Sequence, residues 1–273
     1  LPNLTTGITI NRVEIWVTNK TGTTNNTRNI VALSDLGENM NVSRSDLWGN
    51  GGGPVPANSA NSEYATIAQN HPEARDIDKS ATVLDALGLV GGTDYEKLSS
   101  ARLLNSSEYT VNNALGYVSL RTGLQTDQVL AIAYEYTFGG VTYQVGEFAS
   151  DRTDVSDVLF VKSLKNTSNH PRQANWDLMM KNVYYLASTV ERDKFRLDVK
   201  FQSDTAGVYL SYIPEQQVKD QTLIKALGAD RLDNNNNAHS NGYFDYVDGY
   251  TVANGRVFFP AAEPFGQYIY NYL

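Results

Sequence analysis

The densest run of oxygen-bearing side chains in this 273-residue chain is Asp233-Asn234-Asn235-Asn236-Asn237. Asp233, Asn235 and Asn237 recur at every second residue. On a turning loop such oxygens can converge on one hard cation, and Asp245 and Asp248 downstream can close the shell. Asp233, Asn235, Asn237 and Asp245 are therefore candidate calcium ligands, and Ca²⁺ is the one cofactor the sequence suggests. The run departs from an EF-hand-like loop in two places. Its sixth position is Ala238 where glycine makes the sharp turn, and its twelfth is Phe244 where a bidentate glutamate belongs. The plain alternative is a polar turn closed by Asx-type hydrogen bonds.

Other chemistry is thinly represented. His71, His170 and His239 lie far apart with no paired spacing, which argues against a zinc site. No Gly-x-Ser-x-Gly and no cysteine supply a nucleophile. The acidic pairs Asp151/Asp154 and Asp154/Asp157 are of a kind any acidic protein carries, and spacing alone does not raise a pKa. The glycine-rich stretch 49–53 lacks the Lys-Ser/Thr of a phosphate loop and reads as a flexible connection. The chain is therefore expected to be non-enzymatic, with no catalytic residues.

Composition bounds the class. The net charge of −8 argues against nucleic acid and against polybasic contact with anionic lipid. Hydrophobic residues make up 41% and charged residues 19%, a globular composition. No run of 18 apolar residues suggests a membrane-spanning helix. The absence of cysteine fits an exported cell-envelope protein. Leu1 is followed by no signal-peptide pattern, and Tyr268–Leu273 reads as a strand cut short, so both ends are expected to lie within a longer polypeptide.

The elements that must position these residues follow from periodicity. Residues 8–18 alternate, with Val13, Ile15 and Val17 on one face and Arg12, Glu14 and Trp16 on the other, which predicts a strand. A polar turn over 19–29 leads to a second strand at 30–36, a candidate hairpin partner. Two helices are expected at 80–89, capped by Ser80, and at 94–104, capped by Thr93. Residues 109–148 are strand-rich. Leu130 to Phe138 alternates, Gly139-Gly140 makes the turn, and Val141 to Val145 returns. This 128–148 hairpin is either a soluble sheet packed on the next helix or a membrane-spanning element of an intact barrel. Residues 156–164 read as another strand. Pro171 and the stripe Trp176, Met179, Met180, Val183, Leu186, Ala187 predict a helix over 171–188 with a core face. Residues 195–201 alternate as a strand facing 208–213, 220–228 read as a short helix ending at Gly228, and 250–259 as a final strand pair. The fold class is α+β: antiparallel β-hairpins and sheets with a few short helices packed on them. The expected division is 1–40 as an N-terminal strand pair, 41–80 as loop or linker, and 81–273 as the main α+β domain, separate from or continuous with 1–40.

Three stretches carry a family resemblance. The first is Arg12-Val13-Glu14-Ile15-Trp16-Val17-Thr18-Asn19 with Thr27-Arg28-Asn29-Ile30-Val31-Ala32-Leu33-Ser34-Asp35-Leu36-Gly37-Glu38. The second is Trp176-Asp177-Leu178-Met179-Met180-Lys181-Asn182-Val183-Tyr184. The third is Asp230-Arg231-Leu232-Asp233, then Gly242-Tyr243-Phe244-Asp245-Tyr246-Val247-Asp248-Gly249, then Gly255-Arg256-Val257-Phe258-Phe259-Pro260 and Glu263-Pro264-Phe265-Gly266. In order and spacing they resemble segments of the SprA/Sov family, the gliding-motility and type IX secretion translocon of Bacteroidetes. The resemblance covers about 12–38 and 176–266; residues 40–170 add nothing to it. It implies a giant outer-membrane β-barrel with large extramembranous insertions, of which this chain would be one, at the cell surface or the periplasmic face. The implied partners are the rest of that barrel protein, a lipid-linked shutter barrel, a periplasmic plug and secreted cargo proteins. The competing readings are a carbohydrate-binding or adhesin-type surface module, which needs exposed aromatic platforms such as Trp16 or Trp48, and a glycosidase, which needs two carboxylates in one cleft.

Overall fold

The structure, a computed structural model, describes residues 7–49, 55–113, 116–202, 207–215 and 220–272. It is α+β. The chain divides into two compact units, Pro2–Met179 and Met180–Leu273.

In the N-terminal unit, long alternating segments form strands that close on one another. The strands are β1 (Ile8–Val17), β2 (Thr27–Leu33), β3 (Tyr95–Leu103), β4 (Tyr109–Asn112), β5 (Tyr117–Leu120), β6 (Leu130–Phe138), β7 (Val141–Val145) and β8 (Leu159–Lys165), with one helix, α1 (Ile77–Ala86). Pairing runs β1-β3-β2-β8-β6 and returns from β6 to β1, so five strands form a ring; β7 extends β6. The β2–β8 pair is parallel, with Ile30 opposite Leu159 and Leu33 opposite Lys162; the other pairs are antiparallel. The expected β1–β2 hairpin does not form, because β3 lies between the two strands.

The ring explains why both faces of the alternating strands are buried. Trp16, Ile30, Ala32, Leu98, Ala131, Leu159 and Val161, contributed by all five strands, make one core cluster. Their sequence neighbours face the other way. Val31, Leu33 and Phe160 join Trp48, Ile67 and Leu84 in a second cluster roofed by α1 and the segment before it. Ile15, Val17 and Ile132 form a third, against Tyr109, Val118 and Leu120 of the β4–β5 hairpin. Each buried aliphatic or aromatic side chain contributes roughly 1.5–3 kcal/mol of transfer free energy.

Three local expectations fail here for physical reasons. Residues 94–104 form β3, not a helix. Tyr95, Leu98 and Ala101 are buried at a spacing of three because β3 carries a bulge: Arg28 faces Ala101 but Ile30 faces Leu98, and Ser100 takes φ +53°. The extra residue shifts the buried face and mimics a helical period. The helix expected at 80–89 begins at Ile77, capped by the Asp76 side chain, and Ser80 is buried inside it, bonded to the Ile77 carbonyl. The linker expected over 41–80 packs onto the core at intervals where it is described, since Trp48, Ala60, Ile67 and Ala74 are buried. Of the glycine-rich connection, 50–54 lies outside the described residues.

The third part of the resemblance falls in the C-terminal unit, which is built differently. Its strands are β9 (Val183–Tyr185), β10 (Phe201–Gln202), β11 (Tyr209–Leu210), β12 (Val252–Ala253) and β13 (Arg256–Phe258); its α-helices are α2 (Leu223–Ala226) and α3 (Ile269–Tyr272). β12, β13 and β9 form a three-stranded sheet, and β10 pairs with β11. Phe195, Leu197 and Val199 alternate in burial as expected, and the pairing with 208–213 reduces to Phe201 opposite Leu210 and Gln202 opposite Tyr209. Gly228 ends the α2 turn at φ +69°. The stretch at 268–273, expected as a strand, is helical as far as it is described.

The 171–188 helix is not formed. Only Ala174–Leu178 coil, as a 3₁₀ turn, and the division between the units falls at Met179/Met180. Gln173 and Asn175 are instead buried in a polar network. The Asn175 amide donates to Ser163 Oγ (3.2 Å) and Asn166 Oδ1 (3.0 Å), and Asn166 donates to the Thr93 carbonyl (2.9 Å). Val183–Tyr185 pair with β13. These non-local bonds outweigh a helix whose apolar stripe stays partly uncovered: Met179 is 44% and Leu186 41% exposed. The 128–148 hairpin forms as expected, but β1 and β8 flank β6, not a helix.

Candidate functional site

The chemistry-bearing residues picked out by sequence sit in the loop between α2 and β12, and the loop is tied by three aspartates. Asp230, buried, accepts from the backbone N–H of Asn241 (2.9 Å) and Gly242 (3.1 Å). Asp233 accepts from Asn235 N (2.8 Å), Asn237 N (2.9 Å) and the Asn237 amide (3.0 Å). Asp245 accepts from Arg231 N (2.8 Å) and Leu232 N (2.9 Å). The Asn237 contacts hold the Asp233 carboxyl below its ordinary value. Each carboxylate thus replaces water on backbone donors that no strand satisfies.

The calcium candidates separate into two clasps. Asp233, Asn235 and Asn237 share one tight turn, in which Asn236 takes φ +62°, and Asp245 binds the chain at 231–232. Among the described residues no group of three or more His, Asp or Glu side chains is placed to hold a metal. The other acidic candidates are spoken for separately. Asp151 accepts from Phe148 N, Asp154 from Ser156 N and Oγ, and Asp157 pairs with Arg152.

Beside the loop lies a cleft of about 540 Å³, walled by Leu227, Arg231 and the segment from Pro260 to Tyr268. Its volume falls in the roughly 300–1,000 Å³ range of small-ligand sites. Its one lining carboxylate, Glu263, is ion-paired with Lys181. The glycosidase arrangement of two carboxylates is not present in this cleft. Arg231, Pro260 and Glu263 fall in the family-like stretches, but the sequence makes none of the lining residues a site candidate, because 227, 231 and 260–268 are brought together only by the fold. The Gly228 helix stop and the run Pro260-Ala261-Ala262-Glu263-Pro264 are the local signals in the sequence.

Aromatic exposure is the other notable property of the surface. Tyr184, Tyr185, Tyr209, Tyr212, Tyr243, Tyr250, Phe265 and Tyr270 are exposed, and all belong to the C-terminal unit. Trp16 and Trp48, the platforms a carbohydrate module would need, are 1% and 3% exposed. A near-parallel stack of Tyr134, Tyr136 and Tyr143 does form on β6 and β7, with ring centroids 6.0 and 5.4 Å apart. Tyr136 in its middle is buried, with its hydroxyl on the Pro56 carbonyl.

The N-terminal unit holds a buried ionic network that sequence did not reveal. Arg75 forks onto Glu147 with two 2.6 Å bonds, and Tyr64 Oη and Phe160 N also donate to that carboxylate. The guanidinium lies 4.5 Å over the Phe160 ring. Glu63 is different: neither carboxylate oxygen has a partner among the described residues. Burial, with Asp35 adding repulsion and Lys162 opposing it, pushes its carboxyl well above the ordinary range.

Compared with known proteins, the chain matches no protein-family model and no curated protein sequence.

Proposed function

We propose that this chain is a non-catalytic, extramembranous interaction domain of a SprA-like outer-membrane translocon, acting in type IX protein secretion and gliding motility. The observation that carries the reading is the placement of exposed aromatics. Among the described residues all eight lie in the C-terminal unit, which holds the third SprA-like segment and the end of the second. Exposed tyrosines with apolar bodies and polar tips suit protein contacts, and clustering in one unit marks a surface kept for a partner. The partners proposed are the remainder of the barrel protein, its shutter and plug proteins, and cargo, at the cell surface or the periplasmic face.

The second reading is a cell-surface carbohydrate-binding or adhesin-type module. It keeps the exposed tyrosines as its platform but loses Trp16 and Trp48, which are core.

The test is cargo secretion by cells whose full-length protein lacks this segment, with barrel levels in the outer membrane measured in parallel. Normal barrel levels with blocked secretion are expected. Normal secretion at normal barrel levels would overturn the translocon role and favour the surface module.

A further inference from the structure

The cleft beside the aspartate loop contains a cation with no hydrogen-bonded or ion-paired partner among the described residues. Of the four arginines in the C-terminal unit, Arg192 bonds the Asn234 carbonyl, Arg196 pairs with Asp198 and Arg256 bonds the Asn254 carbonyl. Arg231 has no side-chain hydrogen bond or ion pair among the described residues, although Glu263 lines the same cleft; that carboxylate goes to Lys181. The guanidinium is nevertheless positioned. A Cβ built at Gly228 would stand 2.8 Å from Arg231 Nη2 and 3.4 Å from Cζ, so the guanidinium rests against the Gly228 backbone. The Arg231 and Leu232 backbone amides are clamped by Asp245, and Leu227 is fully buried beneath the cleft. The remaining wall is largely apolar, from Pro260, Ala261 and the Tyr268 side chain.

A planar guanidinium matches a carboxylate in a two-bond fork. Beside an apolar wall it recognises a carboxylate carried on an apolar body. We propose that this cleft binds the carboxylate of a peptide, either a chain terminus or an acidic side chain, with Arg231 as the anion ligand and Pro260, Ala261 and Tyr268 receiving the adjoining apolar group. The proposal stands on the cleft and does not depend on the translocon reading.

The test is an NMR titration of the whole chain, following the Arg231 Nε–H and the Ala261 and Ala262 amides. The probes are acetyl-Ala-Leu-Ala with a free C-terminus, its C-terminal amide, acetyl-Leu-Asp-Ala-amide, and inorganic phosphate. One or both carboxylate peptides are expected to shift these signals saturably, at least about tenfold more tightly than the fully amidated peptide or phosphate. Which of the two binds identifies a terminus or an acidic side chain as the source. Arg231→Gln should lose that advantage and Arg231→Lys should keep part of it. If Arg231→Gln fails to fold, Ala261→Trp, which fills the cleft, should abolish the shifts. Equal binding of the amide, equal binding of phosphate, binding that survives these variants, or no shift at all would overturn the proposal.

Discussion

Up to Met179, β1 pairs with β6 from Ile8 to Val17, and in the second half of β1 Trp16 joins one core while Ile15 and Val17 join another on the opposite face. After Met180 no strand among the described residues exceeds three residues, and one apolar cluster, around Leu227, Phe244, Val257 and Phe259, serves the whole unit. Backbone donors that ladders satisfy in the first unit are satisfied in the second by Asp230, Asp233 and Asp245. The exposed aromatics follow the same division. A closed ring leaves few unpaired edges, whereas a loop-built unit leaves some of its aromatic rings exposed. The three tryptophans, Trp16, Trp48 and Trp176, all lie in the N-terminal unit, so tryptophan fluorescence reads that unit alone.

Glu147→Ala should break the comparison most severely. It strips the buried Arg75 of its fork and leaves a charge without compensation, a loss of about 3–5 kcal/mol. The tryptophan-detected denaturant midpoint should fall sharply; an unchanged midpoint would mean the ionic network does not support the ring. The C-terminal counterpart is Gly255→Ala. Asn254 and Gly255 form the two-residue turn between β12 and β13 at φ +49° and +72°, and a Cβ at 255 would stand 1.7 Å from the Ala187 carbonyl oxygen. A loss of about 1–3 kcal/mol is expected, seen in tyrosine near-ultraviolet dichroism while tryptophan fluorescence keeps its midpoint. A shift in both signals would show that the units do not melt separately.

Glu63 sharpens the comparison through pH. Its folded-state pKa lies above the ordinary glutamate value of 4.5, so the folded chain retains a proton that the unfolded chain releases. The contribution of this group is fully present below that value and is lost as pH rises toward the folded pKa. The tryptophan-detected midpoint should therefore decline as pH rises above 4.5 toward the raised folded-state value, and Glu63→Gln should remove that part of the decline. An equal decline in the variant would assign it elsewhere. The smallest expected effect is at the Asn-rich loop. With the Asp233 and Asp245 oxygens committed to backbone donors, millimolar Ca²⁺ should leave the melting temperature of the C-terminal unit unchanged, and a rise reversed by chelator would restore a calcium site.

Legibility in the sequence follows the range of the interaction. The hairpin at Gly139-Gly140 and the strand at 8–17 were readable because a long period of two and a turn are local signals. Phe195, Leu197 and Val199 showed their alternation too, although the ladder they reach is two residues long. The candidate site was half legible. The polar turn at Asp233–Asn237 could be read from its spacing, but the clasp of Asp245 on residues 232 and 231 spans 13 and 14 positions and has no local signature.

The α+β class, the acidic net charge and the major alternating strands were thus determined by the chain's own pattern. Tertiary structure alone decided that β2 runs parallel to β8, that 95–103 is a bulged strand, that 171–188 uncoils, and that Arg231 faces an apolar wall drawn from residues 260–268. The physical reason is common to all four. A period of three or four suits a helix and a bulged strand alike, and a buried amide such as Asn175 takes whichever partner distant chain brings to it.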